Sequence, residues 1–532
     1  MNITAVIPAR AGSRGVPNKN IRIINGHPLI YYSILNAKQS KYINDVIVTT
    51  DSDDVCLLAK YMGVNVRKRA AHLCEDSVTL DSVIYDAVKD RDCDLVVTMQ
   101  PTSPTLKVET LDSAIEFMLG KGLDTVISVI NQPHLSWTKH KADILPNYEK
   151  RLNRQYLPPH YLETGAFLIT KRNFVSPENR FGKNIGVFEI SEDEAIDIDN
   201  FNDLLLAQSV MSKPKVAIYV NGNTKRGMGH VYRTLEIADE FFVKPDIYYD
   251  INQTDINVFG NTKHNIIPVD GIYELFQKCQ NKEYTVFIND ILSTSLDYMI
   301  GLRKVLPKAK IVNFEDDGEG ILKADLVINA LFTESSAVNI KAGYKYFIAA
   351  KSFLYYPPIK INDKVKNILV TFGGADPQNY TERVLNIISS KKYADYNFTV
   401  ILGRAKNNVN EISNRYKSPN FNILHDVKNM PEIMSKVDMA LTSRGRTGFE
   451  LALLGIPSIV MSQNAREEKH TFVSNENGFS YIGLNPSDEI IKSTLDMYLS
   501  LSKTSRDRFQ KLMLEFDLRH GRNRVMSLIN NL

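Results

Sequence analysis

The sequence predicts an α/β protein: a Rossmann-like lobe followed by a pair of doubly wound lobes. Three observations carry that reading. Short apolar runs alternate with amphipathic segments from the first residue onward, and this alternation restarts twice along the chain. At 532 residues the chain is too long for one core, since a compact domain takes roughly 100 to 200 residues.

The first set of units is ITAVIPA, PLIYYSILNAKQ, DVIVTTD, DDVCLLAKYMG, DLVVTMQP and DTVISVI. Such runs are the pattern of βα units, in which helices cover both faces of a parallel sheet. Phe201 to Met211 reads as a helix, and Pro214 interrupts the pattern before a new strand opens, which ends the first domain at residue 212. A second set (KVAIYVN, HVYRTLEIADEFF, DIYYDI, TVFIND, KIVNFED, DLVIN) runs until Pro357 and Pro358, giving a domain over 213–360. The third (NILVTFGG, FTVILG, FNILHD, DMALTS, PSIVMS) fills 361–532. Ligands of such paired sheets bind beyond the carboxyl ends of the strands. No short-period repeat or low-complexity tract interrupts the order.

Composition excludes several classes. With 64 Lys+Arg against 61 Asp+Glu, the net charge of +3 makes no field suited to nucleic acid or an anionic membrane. Cys56, Cys74, Cys93 and Cys279 form no CxxC pair and no His-rich spacing, so reduced thiols are expected rather than a zinc or disulfide framework. The N-terminal segment turns polar within nine residues and no stretch reaches 18 consecutive apolar residues. A soluble, cytoplasmic chain is the expectation.

After the first strand come Arg10, Gly12, Ser13, Arg14, Gly15, Lys19 and Asn20. The glycines let backbone approach an anion, and the cations face a polyphosphate. Neither the GxxxxGK[ST] nor the GxGxxG spacing is present, so a solvated basic turn stays open beside phosphate binding. Asp197 and Asp199 stand at i and i+2 in an extended segment, which lets both carboxylates converge on one hard cation. Asp199 as the cap of the helix that follows is the other reading.

Five segments in order, ARAGSRGVPNKN, TTDSDD, QPTSP, ETGAF and AIDIDNFND, resemble the CMP-sialic acid synthetases (acylneuraminate cytidylyltransferases) over residues 1 to 212. The resemblance implies a Rossmann-like nucleotidyltransferase domain that moves CMP from CTP to a nonulosonic acid. It implies that Arg10, Ser13, Arg14, Lys19 and Asn20 hold the nucleotide, with Lys19 also catalytic, and that Arg69 and Asp76 lie near the cytidine. Gln100, Thr102 and Ser103 would orient the sugar acid, and Asp197 and Asp199 would bind magnesium. Two positions depart from the family's pattern, Thr164 and the run Pro104 to Lys107, both on the sugar-acid side. Gln132 to Tyr161 corresponds to an arm through which family members dimerise, so a homodimer is expected.

The second domain opens on Gly222 to Arg233, a glycine turn presenting His230 at a helix start. A dinucleotide fingerprint fails there because Tyr232 occupies the third glycine position. A histidine at a helix N-terminus tends to stay neutral and can accept a proton; a His that packs or caps locally is the alternative. In the third domain Gly373 and Gly374 follow a strand, and Thr447 and Glu450 stand at a helix start, suited to a diphosphate and ribose hydroxyls. Glu450 can equally complement the helix dipole.

GMGHVYR, KAGYKYFIAAKSF, VTFGGADPQNYT and LALLGIPSIVMSQN resemble the UDP-sugar hydrolase of the pseudaminic acid pathway over about residues 214 to 520. That family is built on the two-lobed GT-B plan. The likeness implies that His230 assists a water attacking the anomeric carbon of a UDP-linked diacetamido-trideoxyhexose, with Gln463 and Asn464 near the sugar. Asn221 to Asn223 and Ser443 to Gly448 depart from the family's loops. A glycosyltransferase, or a nucleotide-sugar-binding module without catalysis, are the alternatives for this half.

Overall fold

The computed structural model describes residues 1–12, 15–75, 77–141, 143–222, 229–332, 337–374, 376–404, 406 and 408–532. The chain divides into two compact units, Met1–Lys213 and Pro214–Leu532.

The first unit is built on a seven-stranded sheet. Its order is Ile185–Glu189, Thr125–Asn131, Tyr161–Lys171, Leu95–Met99, Ile3–Pro8, Asp45–Thr50 and Asn65–Lys68. Ile3–Pro8 is parallel to both of its neighbours, whereas Tyr161–Lys171 runs antiparallel to its two. Successive side chains of a strand face opposite ways, and here both faces are apolar. Ile3, Ala5 and Ile7 pack with Ile30 and Ile34 of the helix Leu29–Gln39 and with Leu111 and Ile115 of Val108–Lys121. Val6 and Val96 instead meet Ile84 and Val88 of Leu80–Val88. Double coverage explains the unbroken apolar runs, each large aliphatic side chain stabilising by roughly 1.5–3 kcal/mol. The strand order reverses between Ile3–Pro8 and Leu95–Met99, and ligands of such sheets bind beyond the carboxyl ends of the strands at that point.

The second unit holds two all-parallel sheets. One runs Asn265–Val269, Asp246–Asp250, Val216–Val220, Val286–Asp290, Lys310–Phe314, Leu326–Asn329 and Ile340–Ala342. The other runs Phe421–His425, Asn397–Leu402, Asn367–Thr371, Met439–Ser443, Ser458–Ser462 and Ser480–Leu484. Each begins in the middle and winds both ways, the doubly wound order of a Rossmann-like lobe. The last helix, Gly521–Asn530, returns to the earlier sheet, where Val525, Met526 and Ile529 join Val216, Ile218 and Val231. Arg522 fastens it by donating to Glu240 Oε1 at 2.9 Å and to the Ala349 carbonyl at 2.7 Å, and by pairing with Glu236. No helix among the described residues is long and apolar enough to cross a membrane.

Candidate active sites

In the first unit the loop after Ile3–Pro8 folds against the segment that carries the two aspartates. A Cβ on Gly15 would lie 1.9 Å from the Asp199 carbonyl oxygen, so only glycine permits this approach. Lys19 Nζ donates to the Ile198 carbonyl at 2.6 Å and to Asp199 Oδ1 at 3.3 Å. Asn20 Nδ2 donates to the Arg10 carbonyl at 2.9 Å and ties the loop to itself. Ile198 N donates to the Thr102 carbonyl at 2.9 Å, which joins the aspartate segment to the turn after Leu95–Met99. That turn also presents Gln100. Gly165, at φ 71°, leaves room for it, because a Cβ there would meet Gln100 Nε2 at 2.9 Å and Asp197 Oδ2 at 3.4 Å. The cap of the helix Phe201–Met211 is Asn200, in a capping box with Asp203, so the Asp199 side chain is not used as the cap.

Several buried polar atoms of this region have no hydrogen-bond partner: Thr49 Oγ1, Arg69 Nε, Thr102 Oγ1, Ser103 Oγ and Asp197 Oδ1. Buried polar groups are ordinarily satisfied, and unsatisfied ones mark places where a ligand or ion supplies the partner. Arg69 is buried and gives Nη2 to the Thr49 carbonyl at 3.0 Å; burial lowers its pKa. Burial, reinforced by the charge of Asp199, pushes the Asp197 carboxyl above its ordinary value. No group of three or more His, Cys, Asp or Glu gathers among the described residues. Magnesium needs only one or two carboxylates beside phosphate and water oxygens, so the unpaired Asp197 oxygen and the exposed Asp199 carboxylate fit that ion. Ser13, Arg14 and Asp76, predicted to bind nucleotide, lie outside the described residues. On the sugar-acid side, Thr164 Oγ1 is buried against Ser128 Oγ at 2.8 Å, and Lys107 pairs with buried Glu194 at 3.0 Å.

In the second unit His230 and Asp290 stand at the carboxyl ends of Val216–Val220 and Val286–Asp290, where the strand order reverses. His230 Nδ1 lies 2.5 Å from Asp290 Oδ1, both side chains buried. Arg233 Nη2 also lies 3.1 Å from Nδ1; the shorter contact, to a carboxylate that can only accept, assigns the neutral ring's proton to Nδ1 and leaves the lone pair on Nε2. Arg233 donates to Asp290 through Nε at 2.9 Å and Nη2 at 2.5 Å, and pairs through Nη1 with Glu315. Burial pushes both acids upward, but their partners outweigh it: the Arg233 guanidinium and the hydrogen bond with His230 hold Asp290 well below the carboxylate range, and Arg233 with Arg446 brings Glu315 to about 2. The remainder of the glycine turn, 223–228, lies outside the described residues. Tyr232, read in the sequence as blocking helix against strand, is 48% exposed and faces away from that contact.

The later sheet places Gly373 and Gly374 and the start of the helix Arg446–Leu453 on either side of its own reversal point. Gly403 abuts the Gly373 turn, since a Cβ there would lie 2.2 Å from the Gly373 carbonyl oxygen. Thr447 and Glu450 occupy the first helical turns, and burial raises the Glu450 carboxyl. Gln463 Nε2 donates to the Phe372 carbonyl at 2.9 Å and braces that turn, while its buried Oε1 has no partner. Asn464 caps the short helix Ala465–Glu468, accepting from Glu467 N at 3.0 Å, so its carbonyl oxygen is already engaged.

Sequence reading singled out His230 but not Asp290, Glu315 or the role of Arg233 and Arg446. The signal for Asp290 was present in TVFIND, an acid closing a buried apolar strand.

A seven-stranded sheet with a glycine-bearing cationic loop and a half-buried aspartate beyond its central strands makes the first unit a Rossmann-like α/β domain. Residues 4–167 match the family model described as cytidylyltransferase. The Post-translational flagellin modification protein B of Campylobacter coli is 30% identical, over 40% of this chain and 95% of its own. The CMP-N,N'-diacetyllegionaminic acid synthase of Legionella pneumophila is 29% identical, over 41% of this chain and 100% of its own. An uncharacterized protein of Methanocaldococcus jannaschii is 32% identical over 47% of this chain, which spans 56% of that relative's length. The structure of Acinetobacter baumannii MurG is 12% identical with a TM-score of 0.45, over 60% of this chain and 100% of that one. Through its first unit the chain belongs to the cytidylyltransferase family.

Proposed function

We propose that the chain is a bifunctional enzyme of nonulosonic acid biosynthesis. The first unit transfers CMP from CTP to the anomeric hydroxyl of a sialic-type acid. The sugar hydroxyl gives up its proton to solvent as its oxygen forms a bond to the α-phosphorus, the bond to the bridging oxygen breaks and pyrophosphate leaves. The observation that carries this is the unpaired Asp197 oxygen set among Lys19, Gln100 and Asp199. Lys19 brings an ammonium to the phosphates, and Gln100 beside Gly165 orients the acid. Asp197 and Asp199 would hold magnesium, which when bound supplies charge neutralisation on the triphosphate. The name of the Legionella relative, a legionaminic acid synthase, supports the substrate class. The arm carries exposed Trp137, Ile144 and Leu145 on two antiparallel strands, and a homodimer through it belongs to this reading.

The second unit, in this reading, hydrolyses a UDP-linked diacetamido-trideoxyhexose. His230 Nε2 takes a proton from water as its oxygen attacks the anomeric carbon, the bond to UDP breaks, and Asp290 stabilises the imidazolium. Help of that kind is worth about 10²- to 10⁴-fold.

The test is turnover. Pyrophosphate release from CTP with magnesium and a panel of nonulosonic acids is expected, and is expected to vanish in Asp197→Ala. UDP and free hexose are expected together from the UDP-sugar, both lost in His230→Ala. UDP release only with an added acceptor would make the second unit a glycosyltransferase, and no turnover would make it a binding module.

A further inference from the structure

We propose that Arg446 is a positioning residue that couples nucleotide occupancy in the later lobe to the proton affinity of His230 in the earlier one. The inference rests on the reading of this unit as a UDP-sugar site, and its geometry is a chain of alternating charges. Arg446 opens the helix Arg446–Leu453 and crosses to the other sheet. Its Nη1 donates to Glu315 Oε1 at 3.1 Å and its Nη2 to the Ile348 carbonyl at 2.8 Å, with the guanidinium carbon 4.7 Å from the centre of the Phe347 ring. The same Glu315 oxygen is held by Arg233, whose other nitrogens hold Asp290, which holds His230. Gly229, the residue before His230, lies against this crossing: a Cβ there would stand 3.0 Å from Arg446 Cδ.

The charged groups around the imidazole are Arg233 on its own helix, Asp290 at the strand end, Glu315 after Lys310–Phe314, and Arg446 from the later lobe. Arg466 closes the set by donating to the Glu315 carbonyl at 2.7 Å and pairing with Asp317 at 3.5 Å. Adhesion between the sheets does not require a cation here, because Phe347 and Phe449 stack at 4.4 Å beside it. What the guanidinium adds is charge. The helix Arg446–Leu453 begins at Gly445 with no side-chain cap hydrogen bond, and a helix start favours an anion. A diphosphate seated there sits beside Arg446 and offsets its charge. Glu315 is then neutralised by Arg233 alone, Arg233 draws less from Asp290, and Asp290 supports a proton on His230 more strongly. The base strengthens once the nucleotide is in place.

The test reads His230 itself, by NMR titration of the full chain carrying ¹³C-histidine, with the signal assigned by its loss in His230→Gln. Without ligand, Arg446→Gln is expected to raise the His230 midpoint by on the order of half to one pH unit, the effect of removing one nearby positive charge at an effective dielectric of about 20 or more. Arg446→Lys, which keeps the charge, is expected to titrate as wild type. UDP is expected to raise the wild-type midpoint and to raise that of Arg446→Gln by less. If Arg446→Gln fails to fold, Glu315→Gln reads the same chain with the opposite sign, a lowered midpoint. Ligand-free midpoints unmoved by these substitutions overturn the coupling. Absence of calorimetric UDP binding to wild type instead overturns the nucleotide reading of the unit, and the ligand-free comparison keeps the two failures apart.

Discussion

Replacing Gly15 by alanine tests whether the cationic loop and the aspartate segment work as one object. The added Cβ would stand 1.9 Å from the Asp199 carbonyl oxygen and 3.1 Å from its carbonyl carbon, and Cβ contacts under 3.0 Å are essentially never found. One side must therefore withdraw by about 1 Å. The aspartate side is pinned: Ile198 is fully buried and bonded to the Thr102 carbonyl, and Asn200 is locked in its capping box. The exposed loop yields instead, and Lys19 travels with it, away from Ile198 and Asp199. A misplacement of about 1 Å costs on the order of 10²-fold in rate, about 2.7 kcal/mol of barrier. Continuous pyrophosphate release with CTP, magnesium and a nonulosonic acid reads it, alongside a thermal melt that should move little. Gly26→Ala is the control. Gly26 has φ 85° and nothing within 4 Å of its would-be Cβ, so alanine there meets only left-handed strain of about 1–2 kcal/mol. Wild-type turnover in Gly15→Ala, or an equal loss in the control, would refute the reasoning.

Two further expectations concern the buried acids. Burial raises the Asp197 carboxyl, so in the metal-free protein it should take up its proton above the ordinary carboxylate range, read by NMR titration of the carboxyl carbon and lost in Asp197→Asn. The folded state binds this proton more readily than the unfolded chain, which makes the charged carboxylate a stability cost near neutrality. Asp197→Asn should then lose on the order of 10²-fold in turnover with no loss of melting temperature at neutral pH; a clear drop would contradict the burial argument. Asp290 has the opposite sign. Its value is depressed, so its stabilisation is complete above the ordinary carboxylate range and is lost as pH falls from there toward its own value. Asp290→Asn leaves Arg233 buried with Glu315 as its one remaining carboxylate and should cost about 3–5 kcal/mol, read as a lower urea midpoint with the wild type's acid sensitivity diminished.

What the sequence determined by itself is what local chemistry encodes. Apolar runs buried on both faces specify parallel strands, so the three sheets were legible, as was the helix Phe201–Met211. Glycine and cation spacing marked the loop after Ile3–Pro8, and His230 stood out at its helix start. Partnership across the fold was not legible. His230 finds Asp290 60 residues away and Arg446 finds Glu315 131 residues away, and no local periodicity specifies either choice. The same holds for the last helix, which follows the later sheet in the chain yet packs on the earlier one through Val525 and Arg522. Asp199 shows the limit most plainly: its side chain suited a metal ligand and a helix cap equally until Asn200 took the cap and Gly15 let the loop close on the Asp199 backbone. Patterns in the chain state which groups seek burial or charge; only the folded packing decides which of them meet, because that choice rests on distances the chain order does not contain.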